Sequence, residues 1–185
     1  MKAKSDSRTA SLLFDVIGVL LKQKVPYAII GAFAASFYGV IRASMDIDTI
    51  ISLNASTMTA QDLVCLFRKT GLQCDYRQGD YDDPLLGVIK ISDKYNIRVD
   101  LITGIKGMDE GAFKRKVAVT FLKHKIYLIG IEDFIAMKIF AASPKDIEDA
   151  AGVLRVCRKN IDIALLKNLT LKYGKKEAKI LESLL

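Results

Sequence analysis

Asp46 and Asp48 lie two residues apart in MDIDTIIS, a run whose other members are mostly apolar. The alternation predicts a strand over 45–52, with Ile47, Thr49 and Ile51 on one face and Met45 in the same alternation. Both carboxylates then leave one face together, their Cα atoms about 6.6 Å apart, near enough to reach a shared cation. Two like charges on an apolar strand repel each other and resist burial, so they call for a counter-charge. Oxygen-only donors suit Mg²⁺, with Mn²⁺ as an equivalent, better than zinc. Asp100 repeats the pattern as the one acid inside IRVDLIT, with Arg98 the other charge on its face. Two carboxylates on one strand and a third on a neighbouring strand can form a two-metal site. In such a site one ion activates an attacking hydroxyl while the other holds a triphosphate and its departing pyrophosphate. Acids two apart also occur on solvated strand edges and in local ion pairs, and these residues alone do not decide between the readings.

Other residues suit anion binding. The run YAII reads as a buried strand over 27–30 that passes through Gly31 and Ala32 into a two-turn helix ended by Gly39. Small residues before a helix let backbone N–H groups approach a phosphate at the positive end of the dipole; an ordinary strand–helix turn looks the same. Arg42 and Ser44, just before the acidic strand, are placed to grip phosphate oxygens. Lys138 is the cation of an otherwise apolar helix over 131–142. A buried ammonium requires a phosphate or an acid beside it, unless its long stem carries the charge to the surface. In Ser143-Pro144-Lys145-Asp146 the serine is an N-cap, the proline sits at N1 and the aspartate at N3. Asp146 thus has a capping role as well as a candidate site role. Lys145, a cation in a first turn, opposes the helix dipole by about 0.3–1 kcal/mol, which a bound anion would reverse. Asp149 is expected to face solvent or to support either lysine.

These side chains must be carried by a framework, and the chain is long enough for one. Its 185 residues are 51% apolar and 26% charged, which suits a single domain or a core with a small helical extension. The first ten residues read as loose and a helix is expected over 9–24. Thr59 caps a helix over 60–70. Strands are expected at 72–77, 86–92, 96–102 and 125–129, with a helix near 108–116. From Gly130 the pattern turns helical throughout, over 131–142, 144–159 and 162–184. The expectation is an α/β or α+β fold: a mixed-sheet core over 1–130 and a helical extension over 131–185 packed on it.

Composition narrows the chemistry. One histidine, His124, rules against histidine-based triads and zinc proteases. Cys65, Cys74 and Cys157 are too few and too scattered for a disulfide framework and read as small hydrophobes in a reducing cytoplasm. No run of eighteen apolar residues supports a membrane span. The net charge of +7 is concentrated in 114–125 and 155–179, which favours polyanionic partners as much as it describes solvated helix faces.

Taken together, GAFAASFYGVIRASMDIDTII resembles the signature of the DNA polymerase beta-like nucleotidyltransferase superfamily, and Gly31, Asp46, Asp48 and Asp100 fall on its positions. Ala32 stands where the pattern has a second Gly or a Ser, so a hydroxyl contact would be lost there. Within the superfamily the chain looks most like bacterial AbiEii-type toxins and related stand-alone nucleotidyltransferases. That likeness rests on Arg42-x-Ser44 before the acids and on IEDFIAMKIFAASPKDIEDA. The resemblance implies transfer of a nucleoside monophosphate from a nucleoside triphosphate to an acceptor hydroxyl, with release of pyrophosphate. Asp46, Asp48 and Asp100 would be catalytic and would ligate two Mg²⁺ ions. Gly31, Ala32, Arg42, Ser44, Lys138, Lys145 and Asp146 would serve the nucleotide. An RNA or tRNA acceptor and an antitoxin partner follow from the toxin likeness. A small-molecule acceptor, as in antibiotic nucleotidyltransferases, and a non-catalytic nucleotide- or RNA-binding relative are the alternatives.

Overall fold

The computed structural model describes residues 2–42, 44 and 46–185, with side chains from residue 8 onward. The elements run α1 (Lys2–Lys22), β1 (Tyr27–Ile29), α2 (Gly31–Phe37), β2 (Asp46–Ile51), α3 (Ala60–Lys69), β3 (Gln73–Gln78), β4 (Gly87–Ser92) and β5 (Arg98–Ile102). They continue with β6 (Val117–Phe121), β7 (His124–Leu128), α4 (Ile131–Ala141), α5 (Pro144–Cys157), α6 (Ile163–Tyr173) and α7 (Lys175–Leu184). The fold is mixed α/β. It divides into two compact units, residues 1–29 with 43–105 and residues 30–42 with 106–185, and neither is continuous along the chain. The change to helices near residue 130 falls inside the second unit, between β7 and α4. No helix among the described residues is long and apolar enough to cross a membrane.

In the first unit the strands lie in the order β3-β4-β5-β2-β1. Pairing is antiparallel except between β2 and β5, which run parallel. Strand alternation sends Ile47, Ile89, Ile91, Val99 and Leu101 to one face, all buried. Helix α1 packs against β5, and α3 against β3 and β4. Leu13, Val16 and Leu20 of α1 and Leu63 and Phe67 of α3 are completely buried, each worth about 1.5–3 kcal/mol in apolar surface removed from water. The α3 start is a capping box. Asp62 N–H donates to Thr59 Oγ1 (3.2 Å), and Thr59 N–H donates to the Asp62 carboxylate (3.0 Å).

In the second unit α2 begins at Gly31, whose φ of +65° lies in the left-handed region that glycine favours. It ends in a Schellman turn: Gly39 N–H donates to Ser36 O (3.2 Å) and Val40 N–H to Ala35 O (2.9 Å). Strands β6 and β7 form an antiparallel hairpin. Helix α4, apolar on nearly every side, packs against α5, α6 and α7. Arg115 ties its N-terminus down with a fork on Asp133 (2.8 and 2.7 Å) and a further bond to Asp109 (2.7 Å), and Asp109 also accepts from Lys172. Removing one partner from such a buried pair costs about 3–5 kcal/mol.

Several sequence expectations differ from this fold. Helix α1 starts at Lys2, not near residue 9 after a loose segment. The stretch 108–116 holds only a 3₁₀ turn, Glu110–Phe113, too short for a helix. Strand β6 was not expected. The single last helix is two, α6 and α7, broken at Gly174, and a further 3₁₀ turn, Arg158–Asn160, follows α5. Met45, placed in the alternation of the acidic strand, lies outside the described residues. Cys65 is exposed, so it does not act as a core hydrophobe.

Candidate active site

Asp46 and Asp48 leave β2 on the face opposite Ile47, and both are half-buried where Ile47 is buried. The parallel β2–β5 register sets Asp48 directly against Asp100, and Asp46 against Arg98. In the antiparallel β4–β5 register Lys90 stands opposite Asp100 from the other side. Side chains in register share a face of the sheet, so the three acids form a compact row with Arg98 and Lys90 beside them.

Asp100 is the most enclosed of the row, its side chain 16% exposed, and its Oδ1 is buried with no hydrogen-bond partner among the described residues. Burial pushes its carboxyl above the usual range, opposed by the charge of Arg98, reinforced by that of Asp46 and opposed again by Lys90. An unsatisfied buried acceptor costs about 1–3 kcal/mol, which a ligand able to fill the site would recover. Arg98 Nη2 lies 3.2 Å from Asp46 Oδ2 and 3.8 Å from Asp100 Oδ2. Among the described residues no group of three or more acidic, histidine or cysteine side chains is arranged to hold a metal. The donor set itself, three carboxylates with one orphaned oxygen, has the chemistry of a hard divalent ion site. These are the residues that could hold one. Ser44 is exposed, and its hydroxyl donates to the Asp46 backbone carbonyl (3.0 Å) at the start of β2.

The remaining expected residues belong to the second unit. Gly31 and Ala32 open α2, with Ala32 buried. Lys138 has acidic partners: its Nζ donates to Asp146 Oδ1 (2.6 Å) and lies 2.9 Å from Asp149 Oδ2. Arg42 also pairs with Asp149, while its Nε is buried without a hydrogen-bond partner among the described residues. Asp149 is buried, so the expectation that it faces solvent is corrected: two cations compensate its charge. Asp146 does two jobs. Its N–H donates to the Ser143 cap (3.2 Å), and its carboxylate accepts from Ser143 Oγ (2.5 Å) and from Lys138. Burial works against its ionisation, but the Lys138 and Ser143 hydrogen bonds outweigh it and hold the carboxyl below its ordinary range. Lys145 is exposed on the first turn of α5. Sequence reasoning undervalued Arg98, whose position two residues before Asp100 was the signal for a shared face, and Asp149, whose partners are distant in sequence.

Comparison with known structures finds the same mixed α/β fold in other proteins. The antibiotic-resistance factor ANT(2'')-Ia in solution is similar over 96% of this chain and 97% of its own, at 13% identity and a TM-score of 0.63. The same factor in complex with adenylyl-2"-tobramycin gives 14% identity, 90% and 97% coverage and a TM-score of 0.60. An antigenic nucleotidyltransferase-like protein from Paracoccidioides brasiliensis gives 14% identity, 94% and 92% coverage and a TM-score of 0.54. No curated protein sequence matches. The chain belongs to the family described as nucleotidyl transferase of unknown function (DUF2204), which it matches over residues 9–185.

Proposed function

We propose that this enzyme transfers a nucleoside monophosphate from a nucleoside triphosphate to an acceptor hydroxyl. The acceptor oxygen forms a bond to the α-phosphorus, the bond from that phosphorus to the pyrophosphate oxygen breaks, and pyrophosphate leaves. The observation that supports this most is the in-register row of Asp46, Asp48 and Asp100 with its orphaned oxygen. Asp46 and Asp48 would ligate two Mg²⁺ ions, or Mn²⁺ in their place, and Asp100 one of them. Bound there, the metal would neutralise triphosphate charge and acidify the attacking hydroxyl. A carboxylate oxygen of Asp100 would assist removal of the hydroxyl proton. The superfamily resemblance assigns phosphate contacts to the backbone of Gly31 and Ala32 and to Arg42, Ser44, Lys138 and Lys145. Lys145 is exposed, whereas Arg42 and Lys138 would be shared between their existing carboxylate partners and the phosphate. Asp146 would act by holding Lys138. Catalysis on this reading is positioning and charge neutralisation without a covalent intermediate.

The acceptor in this proposal is RNA, such as tRNA, in a cytoplasmic, AbiEii-like toxin held in check by an antitoxin protein. The net charge of +7 favours a polyanion. A small-molecule acceptor is the second reading, favoured by the similarity of the fold to an antibiotic-resistance factor seen with adenylyl-2"-tobramycin. The test incubates each α-labelled nucleoside triphosphate and Mg²⁺ with total RNA or with aminoglycosides. We expect label on RNA from wild type and a loss of at least about a hundredfold in Asp48→Ala, with steep weakening as salt rises. Label on the aminoglycoside alone selects the second reading. No transfer from any nucleotide, with wild type and variant alike, refutes the enzyme mechanism.

A further inference from the structure

We propose that Arg98 is the resident counter-ion of the acid row: it holds Asp46 and Asp100 until a divalent ion displaces it, and so sets how tightly that ion binds. The inference rests on the metal-site reading above. Its basis is the register of β2 and β5, which puts Arg98 opposite Asp46 and two residues from Asp100 on the same face. The contacts, 3.2 Å to Asp46 and 3.8 Å to Asp100, are those of one guanidinium reaching across two carboxylates. Arginine does not lose its proton, so this cation can leave only by rotating away. Its side chain is 44% exposed, so the arm can swing into solvent without disturbing the packed face behind the strand.

The other candidate counter-ion does not compete. Lys90 stands in register with Asp100 but is exposed and forms no ion pair with it among the described residues. Arg98 lies within ion-pair reach of two of the expected ligands, Asp46 and Asp100. A partly exposed ion pair is weak, so a divalent ion held by three carboxylates would displace it at a modest loss of affinity. The arrangement reconciles two needs: it prevents mutual repulsion of the acids in the metal-free protein, and it leaves the site open to exchangeable ions. Arg98 is thus a positioning residue, acting through Asp46 and Asp100.

The test measures Mn²⁺ affinity of the full chain without nucleotide, by electron paramagnetic resonance, together with thermal unfolding with and without Mn²⁺. Arg98→Gln is expected to unfold at a lower temperature than wild type without metal, to bind Mn²⁺ at least about threefold more tightly, and to gain more in unfolding temperature from Mn²⁺. Arg98→Lys, with a shorter arm and a point charge, is expected to fall between the two and carries the test if Arg98→Gln does not fold. Asp48→Asn identifies the site, since it should abolish the tight binding in every background. Equal or weaker Mn²⁺ binding in Arg98→Gln, or in Arg98→Lys where that variant carries the test, with Asp48-dependent binding intact in wild type, overturns the role of Arg98 and leaves the metal site standing. Absence of Asp48-dependent binding in both wild type and the Arg98 variants overturns the metal site and this inference with it.

Discussion

Asp109 shows how a single carboxylate can carry a pH dependence in this fold. It accepts hydrogen bonds from Lys172 and Arg115, and these, Lys172 foremost, push its carboxyl down to about 2. A folded-state value below the unfolded one means that the unfolded chain binds the proton more readily. The stabilisation is therefore complete above the unfolded value near 3.8 and is lost as pH falls from there toward about 2. Asp109→Asn should unfold at a lower temperature than wild type at neutral pH, and the gap should close between pH 4 and pH 2, as read by circular dichroism melts. A gap that stays constant with pH would mean that packing, not charge, gives Asp109 its role. Lys138 illustrates the converse lesson. From sequence its buried ammonium required a phosphate or an acid, and only the structure shows Asp146 and Asp149 supplying the charge, because helix pairing brings α4 and α5 together.

Among the elements, those marked by local chemistry were legible. Thr59 and Ser143 cap α3 and α5 as their sequences imply, and the strands bearing the three acids follow period-two alternation. Strand β6 was hidden because its hairpin turns on Leu122 and Lys123, both at positive φ (45° and 70°), without the Gly or Asn that announces such turns. Gly39 was legible as a helix stop, but not as a contact. Its φ is +90°, and a Cβ there would meet Val156 Cγ1 at 2.8 Å. Gly39→Ala should cost about 1–2 kcal/mol for the backbone conformation alone, or roughly 2–4 °C in unfolding temperature per kcal/mol. Adding Val156→Ala should recover the part due to the clash, giving a double-mutant cycle with favourable coupling. Strict additivity would show that the close approach to Val156 carries no energy.

For the whole molecule, net charge described the partners only coarsely, because part of the basic excess is spent internally. Arg115 and Lys172, from the two basic stretches, are both engaged with Asp109. The three acids were legible as candidates because they interrupt two otherwise mostly apolar strands, Asp46 and Asp48 on β2 and Asp100 on β5. Their juxtaposition was not, since the parallel pairing of β2 with β5 joins segments about fifty residues apart, and no local spacing encodes which strands become neighbours. The proposed chemistry depends on that pairing making a divalent metal site. The most direct measurement is a crystal structure of the protein grown with Mn²⁺ and a non-hydrolysable nucleoside triphosphate, with anomalous diffraction recorded at the manganese edge. The account predicts anomalous peaks bounded by Asp46, Asp48 and Asp100, with Arg98 turned away from the carboxylates. Bound nucleotide with no anomalous peak at these three side chains would contradict it.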